Sequence, residues 1–102
     1  MIRYLIKVTY TEGVHNGETY LLRKGGHVTD EGHIEWLDTT YKTEAVARRV
    51  CKHMYEENEL HRKIEREDEA AKIRKGFSPK SFYIYESQTY EPYPVETVDE
   101  LY

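Results

Sequence analysis

Apolar and polar positions alternate from the first residues. Ile2, Tyr4, Ile6, Val8 and Tyr10 fall on one side of an extended chain, Arg3, Lys7 and Thr9 fall on the other, and Leu5 is the one apolar residue out of phase. A period of two over this length predicts a half-buried strand over about 2–10. Gly13 and Asn16-Gly17 come next, and Asn-Gly between two apolar runs marks a tight turn. A second strand is predicted over 18–23, with Tyr20 and Leu22 on one side and Leu21 on the other, paired with the first as an antiparallel hairpin. Lys24-Gly25-Gly26 closes it. No helix begins there, so the glycine pair reads as a turn and not as a phosphate cradle. Ile34, Trp36 and Leu37 make a candidate third strand over 33–37.

The period changes at Thr43. A threonine ahead of Glu44-Ala45-Val46-Ala47 suits a helix N-cap, because its hydroxyl accepts from a free backbone N–H. Gly76 and Pro79 stand where a helix must stop. The stretch 43–75 is therefore predicted as one long helix, with Lys72, Arg74 and Lys75 in the last turn, where cations suit the helix dipole. At 100° per residue Ala47, Val50, Cys51 and Met54 share one face, with Val46 at its edge. The same face continues as Asn58, His61, Glu65, Asp68 and Lys72, which cannot lie unpaired against an apolar sheet. The helix is expected to leave its core near Asn58, with a bend or break there as the alternative. A narrower stripe, Leu60, Ile64 and Ala71, needs a cover from the tail or from a second copy, and a homodimer through it is expected.

After the helix, 80–86 reads as a strand, with Phe82 and Ile84 on one face and Tyr83 and Tyr85 on the other. Pro92 and Pro94 exclude a central sheet position for the residues around them, so 88–102 is read as an extended, acidic tail. The whole is one α+β domain over 1–87: a small antiparallel sheet of three or four strands packed against one long helix, followed by the tail.

Composition narrows the function classes. With 102 residues and a net charge of −4 the chain is one domain without the basic excess of a general nucleic-acid binder. One cysteine excludes an internal disulfide or a cysteine-cluster metal site. No apolar run approaches the length of about 18 residues that spans a bilayer, and Met1-Ile2-Arg3-Tyr4 lacks a signal-peptide core, so a soluble, cytoplasmic protein is expected. His53, Glu57 and His61 lie along one side of the helix, but the two histidines are about 12 Å apart along its axis, too far for one metal. Cys51 and His53 point apart, so they form no nucleophile pair. No catalytic set, cofactor site or metal site is expected, and the chain is read as a non-enzyme.

Tyrosine is the compositional oddity, ten in all. Tyr83, Tyr85, Tyr90, Tyr93 and Tyr102 crowd the C-terminal end beside Glu86, Glu91, Glu96, Asp99 and Glu100. Tyrosines give rigid, amphipathic contact area, and spaced acids meet a basic groove by charge complementarity. The candidate partner-binding set is Tyr83, Tyr85, Tyr90, Glu91, Tyr93, Glu96, Asp99 and Glu100, with Trp36 as an interface anchor. The alternative is a nucleic-acid-binding or assembly role for Arg48, Arg49, Lys52, Arg62, Lys63 and Arg66 on the helix.

The strand opening at Met1, the run Tyr-Leu-Leu-Arg-Lys-Gly-Gly at 20–26 and the helix opening Tyr41-Lys42-Thr43-Glu44-Ala45 resemble small phage- or prophage-encoded accessory proteins, among them anti-CRISPR and other host-takeover inhibitors. That resemblance implies a stoichiometric binder in the host cytoplasm that blocks a basic, nucleic-acid-handling enzyme, in its sharpest form as a DNA mimic.

Overall fold

In a computed structural model, residues 1–27, 39–80 and 83–97 are described. Trp36, the candidate strand over 33–37, Asp99 and Glu100 lie outside them. Among the described residues the elements are β1 (Ile2–Tyr10), β2 (Thr19–Arg23), β3 (Gly26–His27), α1 (Glu44–Arg74) and β4 (Gln88–Glu96). They form an α+β layer: a four-stranded antiparallel sheet in the order β3-β2-β1-β4 with one long helix across it.

β1 and β2 form the expected hairpin, Val8 opposite Tyr20 and Ile6 opposite Leu22. Gly17 takes φ +91° in the connecting turn, a left-handed conformation that only glycine adopts without strain. The face of β1 toward α1 supplies buried Ile6 and Val8, which close on Tyr41, Ala47 and Cys51. Tyr4, Tyr20, Leu22, Val50, Met54 and Tyr90 pack around that cluster. The helical stripe read from the sequence is thus the one that meets the sheet, and Val46 stands at its exposed edge. Leu5, out of phase in the pattern, is buried on the opposite face, across from Tyr93.

α1 is unbroken from Glu44 to Arg74, so it does not break at Asn58. The Thr43 hydroxyl caps it by accepting from the amide of Val46. At the other end the amide of Gly76, φ +95°, donates to the Ile73 carbonyl and that of Phe77 to the Lys72 carbonyl. This is the paired closure expected of a glycine after the last turn. Thirty-one residues make a helix of about 46 Å, whereas the nine of β1 extend about 30 Å, so the helix outruns the sheet. The molecule is accordingly elongated, 64 × 27 × 20 Å.

Two expectations are corrected at the C-terminal end. Residues 83–86 bend along α1 and pair with no strand. The strand lies further on, at β4, and pairs with β1 along its whole length, Ile2 opposite Glu96 through Tyr10 opposite Gln88. Much of the expected tail is therefore an edge strand of the sheet. The prolines permit it. The amide and carbonyl of Tyr4 both bond Tyr41, and those of Tyr10 bond 17 and 18, on the side of β1 away from β4. Even-numbered β1 residues thus turn their backbone groups from β4, and their partners Pro92 and Pro94 turn theirs to the free edge. No ladder bond needs the N–H that proline lacks, and the edge loses two donors that could recruit another strand.

Candidate binding surface

The polar continuation of the helix's core stripe decides the layout of the distal half. Asn58 Nδ2 donates to the Glu86 carbonyl at 3.0 Å. Glu65 is buried and accepts from the amides of Ile84 at 2.9 Å and Tyr85 at 3.0 Å and from Lys80 Nζ at 3.2 Å. Glu69, one turn on, is also buried and accepts from the Lys80 amide at 2.9 Å. These side chains lie not against apolar sheet but under the returning segment, and its backbone satisfies them. That is the physical reason 83–86 is not a strand: its donors are taken by Glu65, where a ladder would need them.

The charge states follow from these contacts. Burial pushes the Glu65 carboxyl up, but the amides of Ile84 and Tyr85 together with Lys80 outweigh it and hold the group below the usual glutamate range. The Tyr83 hydroxyl, then the Lys80 amide, hold Glu69 low as well. Both carboxylates are ionised anchors at neutral pH.

The segment so held presents aromatic side chains to the helix and Ile84 to solvent. The Arg66 guanidinium lies 3.3 Å over the Tyr83 ring, and His61 stacks on Tyr85 at 4.9 Å with the planes 17° apart. Ile84 between them is 72% exposed and Tyr85 38%. Of the sequence-derived partner-binding set, Tyr83 and Tyr85 therefore stand together. Tyr90 and Tyr93 do not, because alternate residues of a strand face opposite ways. Tyr90 packs on the core beside α1 and donates to Gln88 Oε1 at 2.6 Å. Burial first, then the neighbouring Tyr20, Tyr10 and Glu59, push its pKa up to about 12. Tyr93 lies on the other face of the sheet. Glu91 pairs with Lys7 at 3.8 Å and Glu96 with the Met1 amino group at 3.1 Å.

The basic set divides too. Arg62 is turned inward and binds Glu59 at 2.9 Å and Glu12 of the β1–β2 turn, and Arg66 reaches the same Glu12 at 3.5 Å. The Arg62 hydrogen bond holds Glu12 below the usual carboxylate range against its partial burial. These two arginines latch the turn to the helix and are not free to read phosphates. Arg48 pairs with Glu44. Arg48 and Lys52 line an open cleft of 380 Å³ between α1 and β4, together with Cys51, Tyr55 and Thr89 to Pro92. Burial pushes the Cys51 thiol up, opposed by Arg48, and a raised thiol is the reverse of what a nucleophile needs. His53 reaches Glu57 at 3.5 Å on the exposed face, and among the described residues no three potential ligands come close enough to share a metal. Leu60 and Ile64 remain uncovered, 55% and 53% exposed.

Sequence reasoning missed Glu65 and Glu69 as anchors. The available signal was their register: glutamates four apart continuing the Ala47–Met54 stripe. No helix among the described residues is long and apolar enough to cross a membrane. The chain matches no family model, no curated protein and no solved structure.

Proposed function

We propose that this chain is a non-enzymatic protein-binding protein that engages its partner through the segment 83–85 and the α1 face beneath it. One observation carries the reading: two carboxylates, Glu65 and Glu69, are buried to fix a segment whose own apolar side chain, Ile84, points into solvent. A carboxylate is buried only where donors satisfy it, and here the segment's own backbone supplies them, so the segment is fixed without burying Ile84. A segment held in place beforehand loses little conformational freedom on binding. Tyrosine and arginine, here Tyr83, Tyr85 and Arg66, are the residues that dominate interface energetics.

The partner that suits this surface is basic. The chain carries −4 overall, and net charge steers association toward a partner of opposite sign. Inhibition of a nucleic-acid-handling enzyme, in the manner of a phage-encoded accessory protein, is the narrower form of this proposal.

The test is capture from a bacterial lysate on the immobilised chain. The wild type is expected to retain a stoichiometric partner, and Ile84→Asp combined with Tyr85→Ala to weaken retention about tenfold or more, about 1.4 kcal/mol. Melting should hardly change, because Glu65 grips backbone amides. Absence of any stoichiometric partner, or undiminished capture by the double variant, would overturn the proposal.

A second reading, direct nucleic-acid binding, is favoured by the basic and aromatic lining of the α1–β4 cleft, Arg48, Lys52, Tyr55 and Tyr90. It requires retention on DNA or RNA at low salt that disappears in an Arg48→Glu, Arg49→Glu, Lys52→Glu triple. No retention by the wild type removes it.

A further inference from the structure

Leu60, Ile64 and Ala71 fall within about 40° of one another around α1, on the flank opposite the α1–β4 cleft. Leu60 and Ile64 are more than half exposed. Of the C-terminal segment, Gln88–Glu96 is bonded into the sheet as β4. We propose that a second copy of this chain covers the seam, with the two α1 helices antiparallel about a twofold axis level with Glu65 and Arg66.

Charge sets the direction. The seam is preceded by Glu56 and Glu57 and followed by Arg74 and Lys75. Among the described residues Glu56, Lys63, Glu67, Arg74 and Lys75 form no ion pair within the chain. In a parallel pair Glu56 and Glu57 would lie level with the same two acids of the second copy, and Arg74 and Lys75 with the same two cations. In an antiparallel pair centred at Glu65–Arg66, Leu60 lies level with Ala71 of the second copy, and the two Ile64 side chains flank the axis. Glu56 then faces Arg74, Lys63 faces Glu67, and Glu57 faces Lys75. Every pairing is of opposite sign and lies within one residue of the level that sets Leu60 beside Ala71. That arrangement is self-complementary, as a twofold interface must be. The apolar seam is short, so the pairing leans on exposed charges and is weakened by salt.

The test is sedimentation equilibrium of the full chain at ~50 μM, in low salt and in about 0.5 M salt. A dimer at low salt is expected, with the dissociation constant rising about tenfold or more in high salt. Glu56→Lys with Glu57→Lys should weaken it by a similar factor, and adding Arg74→Glu with Lys75→Glu to the same chain should restore it. A chain that stays monomeric at low salt, or is indifferent to the first pair of reversals, overturns the proposal. A second readout does not depend on affinity. Under oxidation Leu60→Cys with Ala71→Cys should form covalent dimers, since the two positions are about 16 Å apart within one helix and cannot bridge in one chain. Efficient crosslinking by Leu60→Cys alone would signify a parallel pair and contradict the proposal.

Discussion

Glu65 holds three donors from a segment well beyond it in sequence, so its removal strands them. Glu65→Ala leaves the amides of Ile84 and Tyr85 without their acceptor, at a cost of about 2–3 kcal/mol, measurable by denaturant unfolding. Its pH dependence is set by the sign of the shift. Glu12, Glu65 and Glu69 titrate below the ordinary value in the folded chain. As pH falls below about 4.3 the unfolded chain therefore takes up protons before the folded one. The stability these groups contribute is present at neutral pH and is lost on acidification through their folded values. Unfolding across that acid range should be less steep with pH in Glu65→Ala than in the wild type. Equal steepness would mean that Glu65 is not an ionised anchor.

At the scale of elements, β4 is where the expected tail and the observed strand part ways. It pairs with β1 from end to end and sets Tyr90 on the core. Deleting residues 88–102 should therefore lower the melting temperature sharply or abolish the cooperative transition, and an unchanged melt would return the segment to the status of a tail. Much else was legible. The alternation of 2–10, the Asn-Gly turn, the Thr43 cap and the Ala47–Met54 stripe are local signals, and each produced the element it predicts. What was not legible depends on partners distant in sequence. The run over 80–86 has strand composition, but whether its amides join a ladder or a carboxylate is decided by Glu65. The prolines at 92 and 94 exclude a central strand, yet an edge strand with their nitrogens outward obeys the same rule. Of the candidate site, Tyr83 and Tyr85 were recognisable by type. Period two separates Tyr90 from Tyr93 once the strand is known, and inward pairing withdraws Arg62 and Arg66 from the basic patch.

On the scale of the whole molecule, a helix longer than its sheet has a distal half that the sheet does not cover. The chain uses that half twice: one side is clasped by the returning segment through Glu65 and Glu69, and the other leaves Leu60 and Ile64 open. The clasp turns an irregular segment into a fixed ridge, and a ridge fixed before contact is what the binding proposal requires. Amide hydrogen exchange of the free wild-type chain at neutral pH tests that requirement most directly. Ile84 and Tyr85 amides should exchange slowly, and in Glu65→Ala about a hundredfold faster, while Val8 and Ile6 in β1 keep most of their protection. Unprotected Ile84 and Tyr85 amides in the wild type would contradict the proposal, because the segment would then be ordered only by its partner, if at all.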